Sequence, residues 1–159
     1  MSASPHPFRV LLRVRYGECD AQGIVFNARY AEYLDLLMSE LVRAAFGSYR
    51  AMLDEKVDSH VVRCLIEWTA PARFDDVLAL SVTRLTFGNT SFTAEVDIRR
   101  LADDLAVARA EHVNVMVATQ HGGKTPIPTS IRERLAAAAA SGGTVDFSGN
   151  LGGRTAESA

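Results

Sequence analysis

Cysteine is scarce in this chain of 159 residues, which contains only Cys19 and Cys64. Two cysteines do not make the disulfide framework of a small secreted domain. The first residues also lack the basic start and the apolar run of a signal peptide. We therefore expect a cytoplasmic protein.

Long apolar runs are absent as well, because no uninterrupted stretch approaches the roughly 20 residues that span a bilayer. Charge of one sign is not in excess, and a net charge of −2 gives no overall attraction to nucleic acid or anionic lipid. The four histidines follow no metal-ligand spacing. The sequence therefore predicts no metal, no membrane partner and no nucleic-acid partner.

The composition that remains is typical of a globular protein, with 48% hydrophobic and 23% charged residues. A chain of this length is most simply one domain, and we assign residues 1–140 to it. Beyond this range Gly, Ser and Thr dominate without periodicity, which predicts a flexible tail over residues 141–159.

Hydrophobic periodicity divides the first part of the chain into a strand, a polar loop and a long helix. Apolar and polar residues alternate from Phe8 to Tyr16, which predicts a half-buried strand. Helical spacing begins near Ala28, with Asn27 as the predicted N-cap, and ends at Gly47. The apolar stripe of this helix, interpreted as core, consists of Tyr30, Tyr33, Leu34, Leu37, Met38, Leu41, Val42 and Ala45.

The rest of the chain predicts four antiparallel strands and a short helix. The first of these strands starts at Asp58 and turns Cys64 towards the core. A shift of the apolar phase predicts a bulge near Arg84, and Gly88-Asn89 is typical of a hairpin turn.

The last long strand is predicted from about Leu105 to Thr119, and the short helix from Ser130 to Ala140. Ser130 is the expected N-cap of that helix, with Glu133 completing a capping box. Uninterrupted antiparallel strands after one long helix indicate an α+β fold, with the helix packed on one face of the sheet.

The loop and the helix start carry a recognisable pattern. It consists of Tyr16-Gly17-Glu18-Cys19-Asp20, followed by Gly23-Ile24-Val25-Phe26-Asn27-Ala28-Arg29-Tyr30 and Glu32-Tyr33. With this pattern the chain resembles the 4-hydroxybenzoyl-CoA thioesterase family of hotdog-fold proteins. The resemblance implies a sheet wrapped around the long helix. It also implies a homo-oligomer, usually a tetramer built from dimers, with active sites at subunit boundaries.

The resemblance also assigns roles to residues. It implies that Asp20 is the catalytic carboxylate and that a backbone N–H near Asn27 polarises the thioester carbonyl. The pattern departs from some relatives, which have Pro at the position of Ala21 or His at the position of Ile24 or Asn27. These departures leave the acyl specificity open.

Hydrolysis of a thioester needs a positioned carboxylate and donors for the oxyanion, but no metal or other cofactor, since coenzyme A is part of the substrate. Asp20 could act as a general base on water or as a nucleophile that forms a mixed anhydride. The structural alternative is a loop aspartate that bonds its own backbone.

Further residues are predicted to contact the substrate. Gly23 permits close backbone approach, and Tyr30 and Trp68 are candidates for the acyl pocket, with core packing as the alternative. The resemblance implies that the region after the Gly88-Asn89 turn approaches the active site, so Thr90 or Ser91 is a candidate to bond the acyl group or orient water. The candidates for gripping the phosphates of coenzyme A are Arg84, Arg99 and Arg100.

The sequence thus predicts an acyl-CoA thioesterase for a short-chain or aromatic acyl group. Two alternatives stay open: a thioesterase for acyl chains on a carrier protein, and a non-catalytic acyl-CoA-binding hotdog protein. A cysteine nucleophile at Cys19 is disfavoured, because nothing in the sequence places a histidine base beside it.

Overall fold

The computed structural model describes residues 6–149, and within that range it contains one six-stranded sheet and three α-helices. None of these helices has a segment long and apolar enough to cross a membrane. In chain order the elements are β1 (Arg9–Arg13), a 3-10 turn (Tyr16–Glu18), α1 (Arg29–Phe46), α2 (Tyr49–Asp54), β2 (Val57–Trp68), β3 (Val77–Phe87), β4 (Ser91–Arg100), β5 (Leu105–Ala118), α3 (Thr129–Ala140) and β6 (Thr144–Phe147).

The sheet has the strand order β2-β5-β4-β3-β1-β6. Neighbouring strands are antiparallel except for β1 and β6, which are parallel. The apolar stripe of α1 and the inward side chains of the strands belong to one buried cluster, so the long helix packs on one face of the sheet. The predicted α+β hotdog architecture is confirmed.

The periodic signals of the sequence are confirmed in detail. The seven stripe residues of α1 from Tyr30 to Val42 are buried, and Ala45 is half-buried. Gly47 ends the helix with a φ of 82°, in the left-handed region. The register of β3 on β4 shifts between Val82 and Arg84, as the predicted bulge requires.

Both predicted N-caps are wrong. α1 begins at Arg29 after Ala28, and Asn27 makes no side-chain cap. α3 begins at Thr129 after Pro128, so Ser130 lies inside the helix and the predicted capping box does not form. In both helices backbone carbonyls take the role of the cap, as in α3, where the Pro128 carbonyl accepts hydrogen bonds from two N–H groups of the first turn at 3.1 Å.

The first strand is shorter than predicted. Its ladder with β3 ends at the pair of Arg13 and Val77, and Tyr16 lies in the 3-10 turn with 82% of its surface exposed. The turn forms because the Glu18 carboxylate accepts a hydrogen bond from the Arg15 N–H at 2.8 Å, which draws the chain away from the sheet.

The prediction that Cys64 faces the core is also wrong, because this side chain is exposed. β2 is an edge strand, it is exposed along most of its length, and its register shifts between Val61 and Arg63. Alternation identifies the residues that share a face, but not whether anything covers that face.

Two short elements were not predicted. α2 begins after Ser48, whose Oγ accepts a hydrogen bond from the Ala51 N–H at 3.1 Å. Thr144–Phe147 form β6 and pair with β1, so the predicted flexible tail is wrong for these four residues. Residues 150–159 of the predicted tail lie outside the described range.

Candidate active site

The segment between β1 and α1 folds back on itself as a small closed loop that carries Asp20. An isolated bridge joins Cys19 to Val25, and the Asp20 N–H donates to the Ile24 carbonyl at 2.9 Å. The turn is completed by the Gly23 N–H, which donates to the Asp20 carbonyl, and Gly23 has a φ of 73°, which favours glycine. The loop is therefore held in shape by its own backbone.

Asp20 is half-buried in this loop. Its Oδ1 accepts a hydrogen bond from the Gln22 N–H at 2.8 Å, the local bond that the structural alternative required. The same side chain also lines a surface cleft. The backbone bond orients the carboxylate without removing it from the cleft, so the structural and the chemical interpretation are compatible.

The residues at the start of α1 also reach this cleft, which Asn27 and Tyr30 line. The N–H groups of the first three residues from Arg29 to Ala31 bond the carbonyls three residues before them. Within residues 6–149, the N–H groups of Asn27 and Ala28 donate to no backbone or side-chain acceptor. Free N–H groups at a helix start favour a developing negative charge, so this part of the cleft can stabilise an oxyanion.

The cleft has a volume of about 530 Å³ and brings together Asp20, Asn27, Tyr30 and Trp68. The rings of Tyr30 and Trp68 meet edge to face, with centroids 5.8 Å apart. Burial raises the pKa of Tyr30 to about 12, so its hydroxyl stays protonated and neutral. Aromatic and aliphatic walls around one carboxylate form an apolar site with a few polar groups, as is typical of small-molecule sites.

Five of the side chains predicted to contact the substrate do not line this cleft within the described chain. Thr90 and Ser91 lie at the turn between β3 and β4, where the Thr90 carbonyl accepts a hydrogen bond from β5. Arg99 and Arg100 lie at the far end of β4 and form ion pairs with the acids of the following turn, at 2.6 and 2.7 Å. Arg84 likewise faces an acid, at 3.6 Å, on the neighbouring strand.

The structure gives no support to Cys19 as a catalytic nucleophile. Cys19 is half-buried, and its Sγ contacts the Arg15 carbonyl at 3.9 Å. His60 lies on β2 and His112 on β5, and neither lines the cleft of Asp20. Among residues 6–149, no group of three potential ligands is arranged to hold a metal ion.

One feature of the site was missed by the sequence reasoning. Glu18 is buried, with 4% of its surface exposed, and its carboxylate bonds the hydroxyl of Tyr33 on α1 at 2.8 Å. A charged residue next to glycine in a polar loop predicts an exposed side chain. The available signal was the position of Tyr33 on the apolar stripe, since a buried phenol requires a polar partner.

Comparisons with known proteins agree with this architecture. The profile of the thioesterase-like superfamily matches residues 14–135. The acyl-CoA thioester hydrolase YbgC of Escherichia coli is 33% identical over 84 residues, which are 53% of this chain and 63% of that protein. The chain therefore spans less than two thirds of the length of YbgC.

Two further proteins are similar over a larger share of the chain. The 4-hydroxybenzoyl-CoA thioesterase of a Pseudomonas species is 26% identical over 109 residues, covering 65% of this chain and 77% of that protein. The crystal structure of a hypothetical protein from Aquifex aeolicus matches with a TM-score of 0.74 and 29% identity, covering 81% of this chain and 99% of that one.

Proposed function

Because the chain belongs to the thioesterase-like superfamily, we propose that it is a thioester hydrolase and that it hydrolyses acyl-CoA through the carboxylate of Asp20. The observation that carries the proposal is the shared cleft. The half-buried Asp20 and Asn27, whose backbone N–H has no acceptor within residues 6–149, line the same apolar site, and Ala28 with a second such N–H is the next residue. These are the groups that attack on a thioester carbonyl requires.

In the general-base form of the reaction, Asp20 takes a proton from water while the water oxygen bonds the thioester carbon. The N–H groups of Asn27 and Ala28 stabilise the oxyanion. The C–S bond then breaks, and the coenzyme A thiolate leaves and takes up the proton. In the nucleophilic form, an Asp20 oxygen bonds the carbon first, the thiolate leaves, and water hydrolyses the resulting anhydride. After a single turnover in ¹⁸O-labelled water, label in Asp20 identifies the nucleophilic form, because it enters this side chain only when water attacks the Asp20 carbonyl carbon of an anhydride.

The walls of the cleft support a short-chain or aromatic acyl group as substrate. The volume of about 530 Å³ suits a small ligand group. Phe26 and Trp68 are each about half exposed at the cleft and offer ring surface to an entering acyl group.

The proposal includes a homo-oligomer assembled along β2 and a cytoplasmic location. β2 pairs with β5 on one side, and within residues 6–149 no strand pairs with its other side. Its exposed apolar residues are Val61, Val62, Leu65 and Trp68. A long apolar edge strand is typical of a surface that a second copy covers. Cys19 and Cys64 are free thiols, which suit the reducing cytoplasm.

The test is thiol release from acyl-CoAs of acetyl, medium-chain, long-chain and benzoyl type, by the wild type and by Asp20→Asn. We expect saturable hydrolysis of at least one short-chain or aromatic acyl-CoA. We expect kcat to fall about 100- to 10,000-fold in Asp20→Asn, because the variant loses the base or the nucleophile.

Asp54→Asn is the matched control, because it removes the same charge from an exposed site at the end of α2. Equal kcat values for Asp20→Asn and wild type would reject Asp20 as the catalytic group. If the wild type binds acyl-CoA but releases no thiol, the non-catalytic alternative is correct. If only a carrier-protein thioester is hydrolysed, the second alternative is correct.

A further inference from the structure

We propose that Glu18 and Tyr33 are positioning residues, and that the hydrogen bond between them holds the loop of Asp20 in the place that the reaction requires. The inference deepens the proposed function and rests on it. It concerns two side chains that do not line the cleft of Asp20 and do not touch the reacting atoms.

The Glu18 carboxylate is surrounded by donors. Oε1 accepts from Nε and Nη2 of Arg15 at 3.0 and 2.7 Å. Oε2 accepts from the Arg15 backbone N–H and from the Tyr33 hydroxyl, both at 2.8 Å. Four donors occupy the two oxygens of a side chain that is 4% exposed. Glu18 is therefore a fixed acceptor, not a group available for proton transfer.

Electrostatics keep this carboxylate ionised. Burial alone would raise the pKa of Glu18, but the hydrogen bonds from Arg15 and Tyr33 together outweigh burial and lower it. Burial, and after it the same bond, raise the pKa of Tyr33, so the phenol stays protonated and donates. A neutral donor and a charged acceptor form a strong hydrogen bond in a site shielded from water.

Glu18 also stands at the base of the Asp20 loop. Its carbonyl accepts a hydrogen bond from the Phe26 N–H at 2.9 Å, and the next residue, Cys19, bridges to Val25. The two ends of the loop are thus joined at Glu18. Because Tyr33 belongs to α1, the bond between Glu18 and Tyr33 fastens the base of the loop to the helix whose start supplies the free N–H groups.

The base of the loop borders open space. Glu18 and Tyr33 help to line a second cavity of about 700 Å³, which is distinct from the cleft of Asp20. The other end of the loop is held by Val25, which is buried and whose N–H donates to the Ala72 carbonyl at 2.8 Å. Without the bond between Glu18 and Tyr33, the base of the loop can move towards the second cavity, and a misplacement of about 1 Å can cost a reaction about 100-fold in rate.

The experiment compares Tyr33→Phe and Glu18→Gln with a matched control, Tyr49→Phe. The Tyr49 hydroxyl bonds the carboxylate of Asp58 at 2.9 Å, so this control also removes a phenol–carboxylate bond, but one away from the loop. For Tyr33→Phe we expect kcat to fall at least about tenfold with KM for the same acyl-CoA nearly unchanged. For Tyr49→Phe we expect an unchanged kcat at a similar loss of thermal stability.

Amide hydrogen exchange provides a second measurement that does not depend on turnover. We expect faster exchange in residues 19–26 of Tyr33→Phe and Glu18→Gln than in wild type, and wild-type exchange there in Tyr49→Phe. If both loop variants match Tyr49→Phe in kcat and in exchange, the inference is wrong. If the wild type hydrolyses no acyl-CoA, the proposed function fails, but the exchange data still decide whether this bond holds the loop.

Discussion

Two carboxylates that lie two residues apart in the chain have opposite environments in this fold. Glu18 is buried and bonded by four donors, whereas Asp20 is half-buried and has one oxygen oriented by a backbone N–H. The sequence pattern predicts Asp20 as the catalytic carboxylate, because its position in the loop motif is a local property. It could not identify Glu18 as buried, since that depends on the distant Tyr33.

His112 is a second buried titratable residue, and unlike Glu18 it is held in its neutral form. It is 3% exposed on β5, and its Nδ1 lies 2.9 Å from the amide nitrogen of Asn114. Burial lowers the pKa of His112, and the charge of Asp35 on α1 opposes that shift only in part. The small cavity beside it is also lined by Tyr49 and Ser59. The imidazole is thus held neutral in the folded protein.

This predicts a dependence of stability on pH. Below about pH 6.5 the imidazole takes up a proton in the unfolded chain but not in the folded protein, so the free energy of unfolding falls with falling pH. The fall ends once the pH is below the pKa of folded His112. Urea unfolding at pH 7.5 and pH 5.5 gives the free energy of unfolding at each pH. The difference between the two values should be smaller for His112→Gln than for wild type. An equal difference in both proteins would contradict the burial of a neutral imidazole.

At the scale of elements, long periodic segments were predictable and short segments fixed by distant contacts were not. The stripe of α1 and the bulge near Arg84 follow from local spacing. β6 has four residues, and its pairing with β1 joins positions more than 130 residues apart. The segment around Thr144 has no hydrophobic periodicity that would predict a strand, because it becomes a strand only through its pairing with β1.

The pairing of β6 predicts a result for shortened chains. A chain that ends after Ser141 loses β6, and with it the parallel ladder to β1 and the partly buried Val145. We expect a clear drop in Tm for this chain. The matched control is a chain that ends after Gly149, which keeps β6 and should have a Tm close to that of the full chain. Calorimetry compares the three proteins, and equal Tm values would mean that β6 contributes nothing to stability.

At the scale of the whole molecule, the edge strand β2 links the proposed assembly to the candidate site. Trp68 ends this strand and also lines the cleft of Asp20, so a second copy that covers β2 reaches the rim of the cleft. The five predicted contacts that lie away from the cleft of one chain are compatible with such an assembly. Sequence could predict residues, but not which copy of the chain brings them to a site.

The assembly is tested with Val61→Lys and Leu65→Lys, which place charge on the exposed apolar edge. We expect both variants to have a smaller mass than wild type in light scattering after gel filtration, because a buried unpaired charge opposes association. Thr86→Lys on β3 is the matched control, since it adds the same charge to an exposed strand position away from the edge. An unchanged mass for both edge variants would show that copies do not associate through β2.

Trp68 is the only tryptophan in the chain, and it lies against Tyr30 beside the carboxylate of Asp20. The ultraviolet emission of the protein therefore comes mainly from one place, the mouth of its cleft. An acyl group that enters replaces water around this indole and should shift its emission to shorter wavelength. The protein thus carries an optical probe of its own occupancy, which needs no label and works even with a substrate analogue that cannot react.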